Sequence, residues 1–156
     1  MHKERAETAN GCQGLLLDAR GAVLLLRRTH RRDGDPRWYE APGGPVRAGK
    51  PVRQALARGI RQQTGLRVVK GMVGPLLVDG PSRLYLVGPL RATSVVTLPR
   101  RSSLGGPPPF DHYVWAQPAE LHTYCNLTSA QLLWAALRSV RGPAYGRAAG
   151  RFRRAA

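Results

Sequence analysis

The sequence predicts a single α/β domain, and three observations support that fold class. The chain has 156 residues, which is the usual size of one domain with a substantial hydrophobic core. Hydrophobic residues make up 42% of the chain, a share typical of globular rather than disordered proteins. Short apolar runs with strand patterns precede and follow a segment with helical spacing, and a second helical segment lies near the C-terminus.

The predicted strands are short apolar or β-branched runs bounded by turn residues. They cover residues 11–17, 22–26, 66–78 as one or two strands, 82–90, 93–98 and 110–116. Asp18 and Gly21 lie between the first two runs, so these two strands are predicted to form a hairpin. Residues 27–37 and 100–109 contain Gly, Pro and polar residues, and both are predicted to be loops.

Two longer segments are predicted to be helices. Residues 51–64 begin with Pro51, which suits a first helical turn, and Gly65 follows them as a C-cap. The apolar residues of this segment recur at helical spacing, namely Val52, Ala55, Leu56 and Ile60. A capping-box pattern at residues 128–131 predicts the start of a second helix, which continues to about residue 140.

The domain is predicted to cover residues 11–140. Residues 1–10 form a polar lead-in, and residues 141–156 form a basic tail that is predicted to be disordered. Residues 118–121 are predicted to form a short helical turn before the final helix.

The charge balance and the cysteine count limit the classes of protein. The chain has 25 basic residues against 9 acidic ones, which favours anionic ligands or leaves a solvated basic surface. Nucleic acid is a weak expectation, because the basic residues are scattered and no nucleic-acid module is recognised. Cys12 and Cys125 are too few for a disulfide framework or a zinc site. Residues 1–10 lack the apolar part of a signal peptide and no run reaches membrane-span length, so we expect a cytoplasmic protein without membrane contact.

Residues 38–44 and 44–66 resemble the two parts of a known catalytic motif. The first, Trp-Tyr-Glu-Ala-Pro-Gly-Gly, is similar to the W-E-[LF]-P-G-G sequence that leads into the Nudix box. The second is similar to the box itself, G-x5-E-x7-R-E-U-x-E-E-x-G-U, where U is an aliphatic residue. The matching positions are Gly44, Arg58, Ile60, Gly65 and Leu66. The four glutamate positions are occupied instead by Lys50, Gly59, Gln62 and Gln63.

The resemblance to the Nudix family implies an α/β/α sandwich with a mixed β-sheet, over about residues 11–140. In that family the glutamates hold magnesium ions that activate water against a diphosphate. Residues 59, 62 and 63 are three and four positions apart, so they share one helical face. Their neutral or absent side chains lack the charged oxygen ligands that contribute most of the attraction for magnesium. We therefore expect no metal site, no cofactor and no ordinary magnesium-dependent diphosphatase activity.

Two sets of residues remain as candidates for chemistry at such a site. Proton transfer is assigned to Glu40, His112 and Asp111, because carboxylates and imidazoles act as general acids and bases. Adjacent strand residues point to opposite faces, so Asp111 and His112 enter one pocket only if the chain turns there. Binding of an anion or a ring is assigned to Lys50, Arg47, Arg53, Arg58, Arg61, Tyr39, Gln62 and Gln63. For each residue the alternative is a structural or solvated surface role.

These assignments predict a Nudix-fold protein without a metal site. It binds a small anionic or ring-bearing metabolite, or transforms it by acid–base chemistry such as cyclisation, isomerisation or elimination in a biosynthetic pathway. Two alternatives stay open: a Nudix hydrolase with relocated metal ligands, and a non-catalytic module that binds a ligand or nucleic acid. Assembly into a homodimer is also open.

Overall fold

The structure, a computed structural model, describes residues 11–29, 38–47, 49–80, 82–91, 93–102 and 104–141. Its strands are β1 (Gly11–Leu16), β2 (Val23–Arg28), β3 (Tyr39–Glu40), β4 (Gly43–Pro45), β5 (Val73–Asp79), β6 (Ser82–Val87) and β7 (Phe110–Ala116). Its helices are α1 (Val52–Thr64), α2 (Leu121–Tyr124) and α3 (Leu127–Arg141), with 3₁₀ turns at Lys70–Met72 and Pro118–Glu120. The predicted lead-in, the basic tail after Arg141 and most of the loop at 27–37 lie outside the described residues.

The strands form two sheets. One sheet has the order β4-β1-β6-β5, in which β1 and β6 are parallel and the other neighbours are antiparallel. The other sheet is antiparallel and has the order β3-β2-β7. The predicted mixed sheet is therefore confirmed. Within the described ranges no helix is long and apolar enough to cross a membrane.

Alternate side chains of the strands pack against different helices, so the sheets lie between two helical layers. On β2, Val23 and Leu25 lie in a core cluster with residues of α2 and α3. Leu24 and Leu26 lie in a second cluster with residues of α1. All four side chains are completely buried, as expected for a strand that is covered on both faces. This layering confirms the predicted α/β/α sandwich.

The helix predicted at residues 51–64 is confirmed as α1. Its apolar positions face the sheet, and Leu56 and Ile60 are buried. The helix ends at Gly65, which has a left-handed backbone with φ of 69°. The Gly65 N–H donates a hydrogen bond to the carbonyl oxygen of Arg61 at 2.9 Å, which satisfies a carbonyl of the last turn.

The hairpin predicted from Asp18 and Gly21 is confirmed at its turn, and its longer pairing of the two strands is wrong. The turn itself forms, because the Asp18 carboxylate accepts a hydrogen bond from the Ala22 N–H at 2.8 Å. In the described part of the chain, however, the two strands are bridged only between Leu17 and Val23 before they enter different sheets. β1 then pairs with β6, and β2 pairs with β7. Partners from distant segments decide this pairing, and a local turn signal does not reveal them.

The strand predicted at residues 93–98 is also wrong. The Thr97 N–H donates a hydrogen bond to the carbonyl oxygen of Thr64 at 2.7 Å, and Val96 is buried in the α1 cluster. This segment therefore packs against the end of α1 instead of joining a sheet. Within the run predicted at 66–78, the strand begins only at Val73.

The final helix begins two residues earlier than the predicted cap at Thr128 implies. It starts at Leu127, and the side-chain oxygen of Asn126 accepts a hydrogen bond from the Ser129 N–H at 2.9 Å. Asn126 therefore takes the capping role that the sequence pattern assigned to Thr128. The predicted helical turn at 118–121 and the predicted strand at 110–116 are confirmed.

Of the glycines before α1 that the structure describes, Gly43 lies closest to the backbone of another segment. A Cβ atom at this position would lie 2.1 Å from the carbonyl oxygen of Cys12 on the neighbouring strand. Its φ of 156° is also a conformation that residues with side chains rarely adopt. Glycine is therefore the residue that lets β4 pair closely with β1.

We expect Gly43→Ala to destabilise the protein by more than about 3 kcal/mol, because the added methyl group would overlap the Cys12 carbonyl. Gly44→Ala is the matched control, since a Cβ atom there meets no atom within 4 Å. It should change the free energy of unfolding by less than about 1 kcal/mol. Urea denaturation of both variants measures the difference. Equal stability of the two variants would contradict this account of the close approach.

Candidate functional site

The positions that hold glutamates in the related motif lie around α1 and around the residues that lead into it from Gly43. We call this lead-in the Gly43 loop. Lys50 and Gln62 are exposed. Gly59 lies beside the loop, because a Cβ atom there would be 3.8 Å from the carbonyl oxygen of Gly43. The Gln63 amide accepts a hydrogen bond from the Gly43 N–H at 2.9 Å and donates one to the Gly43 carbonyl oxygen. None of these four positions carries a negative charge.

The residues present do not fit a magnesium ion at this motif. Magnesium requires oxygen ligands, and carboxylates supply most of the attraction. Among the residues that the structure describes, no group of three Asp, Glu, His or Cys side chains is placed to hold a metal ion. The two predicted carboxylates are both in ion pairs, Glu40 with Arg28 and Asp111 with Arg27.

Glu40 lies on the face of the three-stranded sheet that looks toward α1. It pairs across the sheet with Leu26, whose side chain lies in the α1 cluster, and directly paired residues share a face. The guanidinium of Arg28 donates two hydrogen bonds to the Glu40 carboxylate, at 2.9 and 3.0 Å. This two-point pair, partly exposed, neutralises the carboxylate and holds both of its oxygens.

His112 lies on the opposite face of the same sheet. His112 and Tyr39 both pair with Arg27, and Tyr39 packs against the cluster formed with α2 and α3. The Tyr39 hydroxyl and His112 Nδ1 are 2.9 Å apart and share a hydrogen bond. The Tyr39 ring also contacts Tyr124 edge-on, with 5.1 Å between the ring centroids. His112 therefore belongs to an aromatic cluster that is separate from the Glu40 side of the sheet.

A bulge in β7 explains how Asp111 reaches the His112 side. The ladder shifts between Arg27 and Arg28, so that Arg27 pairs with His112 and Arg28 pairs with Phe110. Asp111 falls between these pairs, as the extra residue of a β-bulge does. Its carboxylate accepts a hydrogen bond from Arg27 Nε at 2.8 Å, and this bond raises the pKa of Arg27. The bulge therefore lets Asp111 and His112 both lie beside Arg27.

The structure thus brings Asp111, His112 and Tyr39 together around Arg27 and places Glu40 elsewhere. Glu40 and His112 project from opposite faces of one sheet, so they do not form a single acid–base pair. The pleat of the strands causes the separation, and the sequence alone did not reveal the register.

The arginines predicted to bind an anion are spread over the surface around α1. Arg47, Arg58 and Arg61 are all exposed. Arg61 Nη1 donates a hydrogen bond to the carbonyl oxygen of Val68 at 3.1 Å, which holds this side chain along the segment after the helix. Arg58 and Arg61 lie three residues apart on α1, whereas Arg47 precedes the helix.

A groove with a volume of about 490 Å³ opens beside the first turn of α1. Its lining residues are Pro51, Val52, Arg53, Gln54, Lys70 and Tyr85. The lining holds two cations, one amide and one aromatic ring, and it has no carboxylate. Arg53 Nη1 donates a hydrogen bond to the Val73 carbonyl oxygen, so its guanidinium is anchored at the groove. Lys70 was missed from the sequence, because its return to the start of α1 depends on the path of the chain after the helix.

The two cysteines are buried and sit in different core clusters. Burial raises the pKa of Cys125 to about 12, and the negative charge of Glu40 adds to this rise. Burial also raises the pKa of Cys12. Both thiols are therefore protonated at neutral pH, which is the opposite of what a nucleophile requires.

Comparisons with known proteins agree with this architecture. A family model described as NUDIX domain matches residues 12–137. A curated relative from Mycobacterium tuberculosis, named "Putative 8-oxo-dGTP diphosphatase 2", is 36% identical over 103 residues, which cover 64% of this chain and 67% of the relative. The solution structure of the E. coli ORF135 protein has a TM-score of 0.60 and 21% identity, covering 85% of this chain and 89% of that chain. The MutT protein from Methanosarcina mazei Go1 has a TM-score of 0.59 and 17% identity, covering 85% and 94%.

We expect both thiols to resist alkylation in the folded protein. Because the pKa of Cys125 rises from 9.0 to about 12, its thiolate fraction at pH 8 falls about a thousandfold. Iodoacetamide labelling at pH 8, followed by mass spectrometry, should show slow labelling of the native protein and rapid labelling in urea. Fast labelling of Cys125 in the native state would contradict its burial.

Proposed function

We propose that this chain, which belongs to the NUDIX domain family, binds a small anionic, ring-bearing ligand without a divalent metal ion. The observation that carries the proposal is the groove beside α1, whose lining combines two cations with an aromatic ring and lacks any carboxylate. A ligand pocket of a few hundred Å³ with a small number of polar groups is typical of small-molecule sites.

The groove has the groups that recognise an anion joined to a ring. The guanidinium of Arg53 and the ammonium of Lys70 attract and hydrogen-bond oxygen anions such as phosphate or carboxylate. The ring of Tyr85 offers an apolar surface for stacking, and Gln54 offers both a donor and an acceptor. These cations give the groove the positive charge that holds an anion without a metal ion.

The predicted ligand residues around the start of α1 support the same site. Lys50 directly precedes the groove residue Pro51, and its N–H donates a hydrogen bond to the Arg47 carbonyl oxygen at 3.1 Å. We propose that Lys50 and Arg47 add to the positive potential that draws an anion toward the groove. Arg58 and Gln62, which are also exposed, stay proposed ligand contacts on the same helix.

Binding without chemistry is favoured over proton transfer. The Glu40 carboxylate is bound by Arg28. The groove opens beside α1, whereas His112 lies on the face of the sheet that points away from α1. A ligand in the groove therefore has no general acid or base of this set beside it. The acid–base role of Glu40, Asp111 and His112 stays a prediction, which turnover measurements on His112→Ala test.

A hydrolase is the second candidate, and one observation favours it. The relative that is 36% identical carries the name of a diphosphatase for 8-oxo-dGTP. We expect the same activity in this chain only if other oxygen ligands replace the four glutamates of the motif.

We expect Lys70→Gln to weaken binding of adenosine diphosphate about tenfold, or about 1.4 kcal/mol, because the variant loses one of the two cations of the groove. Arg67→Gln is the matched control, since it removes one positive charge from an exposed residue that does not line the groove. Isothermal titration calorimetry in excess EDTA measures both affinities. Equal weakening by the two substitutions would show that only the overall charge attracts the nucleotide.

We also expect Tyr85→Leu to weaken the binding of adenosine diphosphate more than the binding of pyrophosphate, because only the nucleotide has a ring to stack. The expected loss is about fivefold to tenfold for the nucleotide and less than twofold for pyrophosphate. Circular dichroism checks that the fold is kept, since Tyr85 is half-buried. Equal losses of affinity for both probes would show that the groove does not recognise a ring.

We expect no turnover of nucleoside diphosphate derivatives with Mg²⁺ or Mn²⁺, because the box lacks its carboxylates. Chromatographic separation of the nucleotide products formed from a panel that includes 8-oxo-dGTP measures this directly, since a diphosphatase would convert 8-oxo-dGTP into 8-oxo-dGMP and pyrophosphate. Metal-dependent turnover that collapses in Glu40→Gln would establish the hydrolase and overturn the proposal.

A further inference from the structure

We infer that the side-chain amide of Gln63 replaces the divalent ion as the link between the Gly43 loop and α1. In the related motif the carboxylates that hold the ion come both from the loop before the helix and from the helix itself. Here the loop and the helix are joined by two hydrogen bonds between one side chain and one peptide unit. This inference goes beyond ligand binding, because it concerns how the former metal position is built.

The contact is a two-point match between Gln63 and Gly43. The Gly43 N–H donates to Gln63 Oε1 at 2.9 Å, and Gln63 Nε2 donates to the Gly43 carbonyl oxygen. Both residues are at least partly buried, so these groups have little water to bond with instead. The pair therefore satisfies both backbone groups of Gly43 with a single side chain.

The match requires a donor and an acceptor on one side chain, which the Gln63 amide carries and an ionised glutamate does not. A primary amide carries both a donor and an acceptor, as a peptide group does, whereas an ionised carboxylate only accepts. A glutamate at position 63 would accept from the Gly43 N–H but would set a negative oxygen against the Gly43 carbonyl. Glutamine at this position is therefore a specific requirement of the metal-free structure and not a neutral relic of glutamate.

The position of Gly43 in the sheet explains why the amide is needed. Gly43 begins β4, which is the edge strand next to β1, and it pairs with Gln13 on that neighbour. The other side of an edge strand presents N–H and C=O groups that require partners. The Gln63 side chain provides the donor and the acceptor that a further strand would provide.

Gly59 lies beside the same link. It has no side chain, and a Cβ atom there would be in ordinary contact with the Gly43 carbonyl oxygen at 3.8 Å. A carboxylate at position 59 would bring negative charge beside this oxygen. The two positions that depart from the family pattern, Gly59 and Gln63, thus both lie beside the Gly43 carbonyl oxygen, and only Gln63 bonds it.

The first test compares Gln63→Glu with Gln62→Glu, which makes the same chemical change on a neighbouring exposed residue without a contact to the loop. In EDTA, Gln63→Glu should lower the unfolding temperature by about 5 °C, and Gln62→Glu should leave it within about 1 °C. Gln63→Met, which keeps the length and removes both hydrogen bonds, should resemble Gln63→Glu. Equal unfolding temperatures for the two glutamate variants would overturn the inference.

The second test restores the box in two stages. One variant carries Lys50→Glu, Gly59→Glu and Gln62→Glu and keeps Gln63, and the other adds Gln63→Glu. We expect Mg²⁺ to raise the unfolding temperature of the fourfold variant by about 3 °C or more and to leave the threefold variant unchanged. Equal shifts in the two variants, including no shift in either, would overturn the claim that Gln63 stands in place of the ion.

Discussion

The peptide unit of Gly43 is the contact on which the site depends. It approaches the carbonyl oxygen of Cys12 so closely that no side chain fits, and its N–H and C=O are both bound by Gln63. One residue thus joins an edge strand, its neighbouring strand and the helix α1. Close backbone packing and two neutral hydrogen bonds hold these parts together.

The division of the sheet into two faces organises the remaining polar residues. Glu40 and Arg28 lie toward α1, whereas Asp111, Arg27 and His112 lie toward the other helical layer. Each carboxylate is neutralised by its own arginine, so neither face carries a concentrated negative charge. The excess of basic over acidic residues in the whole chain favours the approach of anions in general.

The sequence predicted the parts of the fold that depend on local chemistry. Helical spacing and the Gly65 cap predicted α1, and the family motif predicted the sandwich. The longer pairing of the hairpin and the strand at 93–98 were wrong because strand pairing depends on distant partners. For the site, the absent carboxylates were visible in the sequence. The partner of Gln63 and the position of Lys70 were not, since both follow from how separate segments meet in space.

Several hydrogen bonds fix α1 to segments that are distant in the chain. Arg53 and Arg61 donate to carbonyl oxygens of the segment after the helix, and the carbonyl oxygen of Thr64 accepts from Thr97. The helix therefore has little freedom to slide or tilt. A molecule that binds at the first turn of α1 therefore does not have to order the helix. The conformational entropy lost on association is mainly that of the ligand.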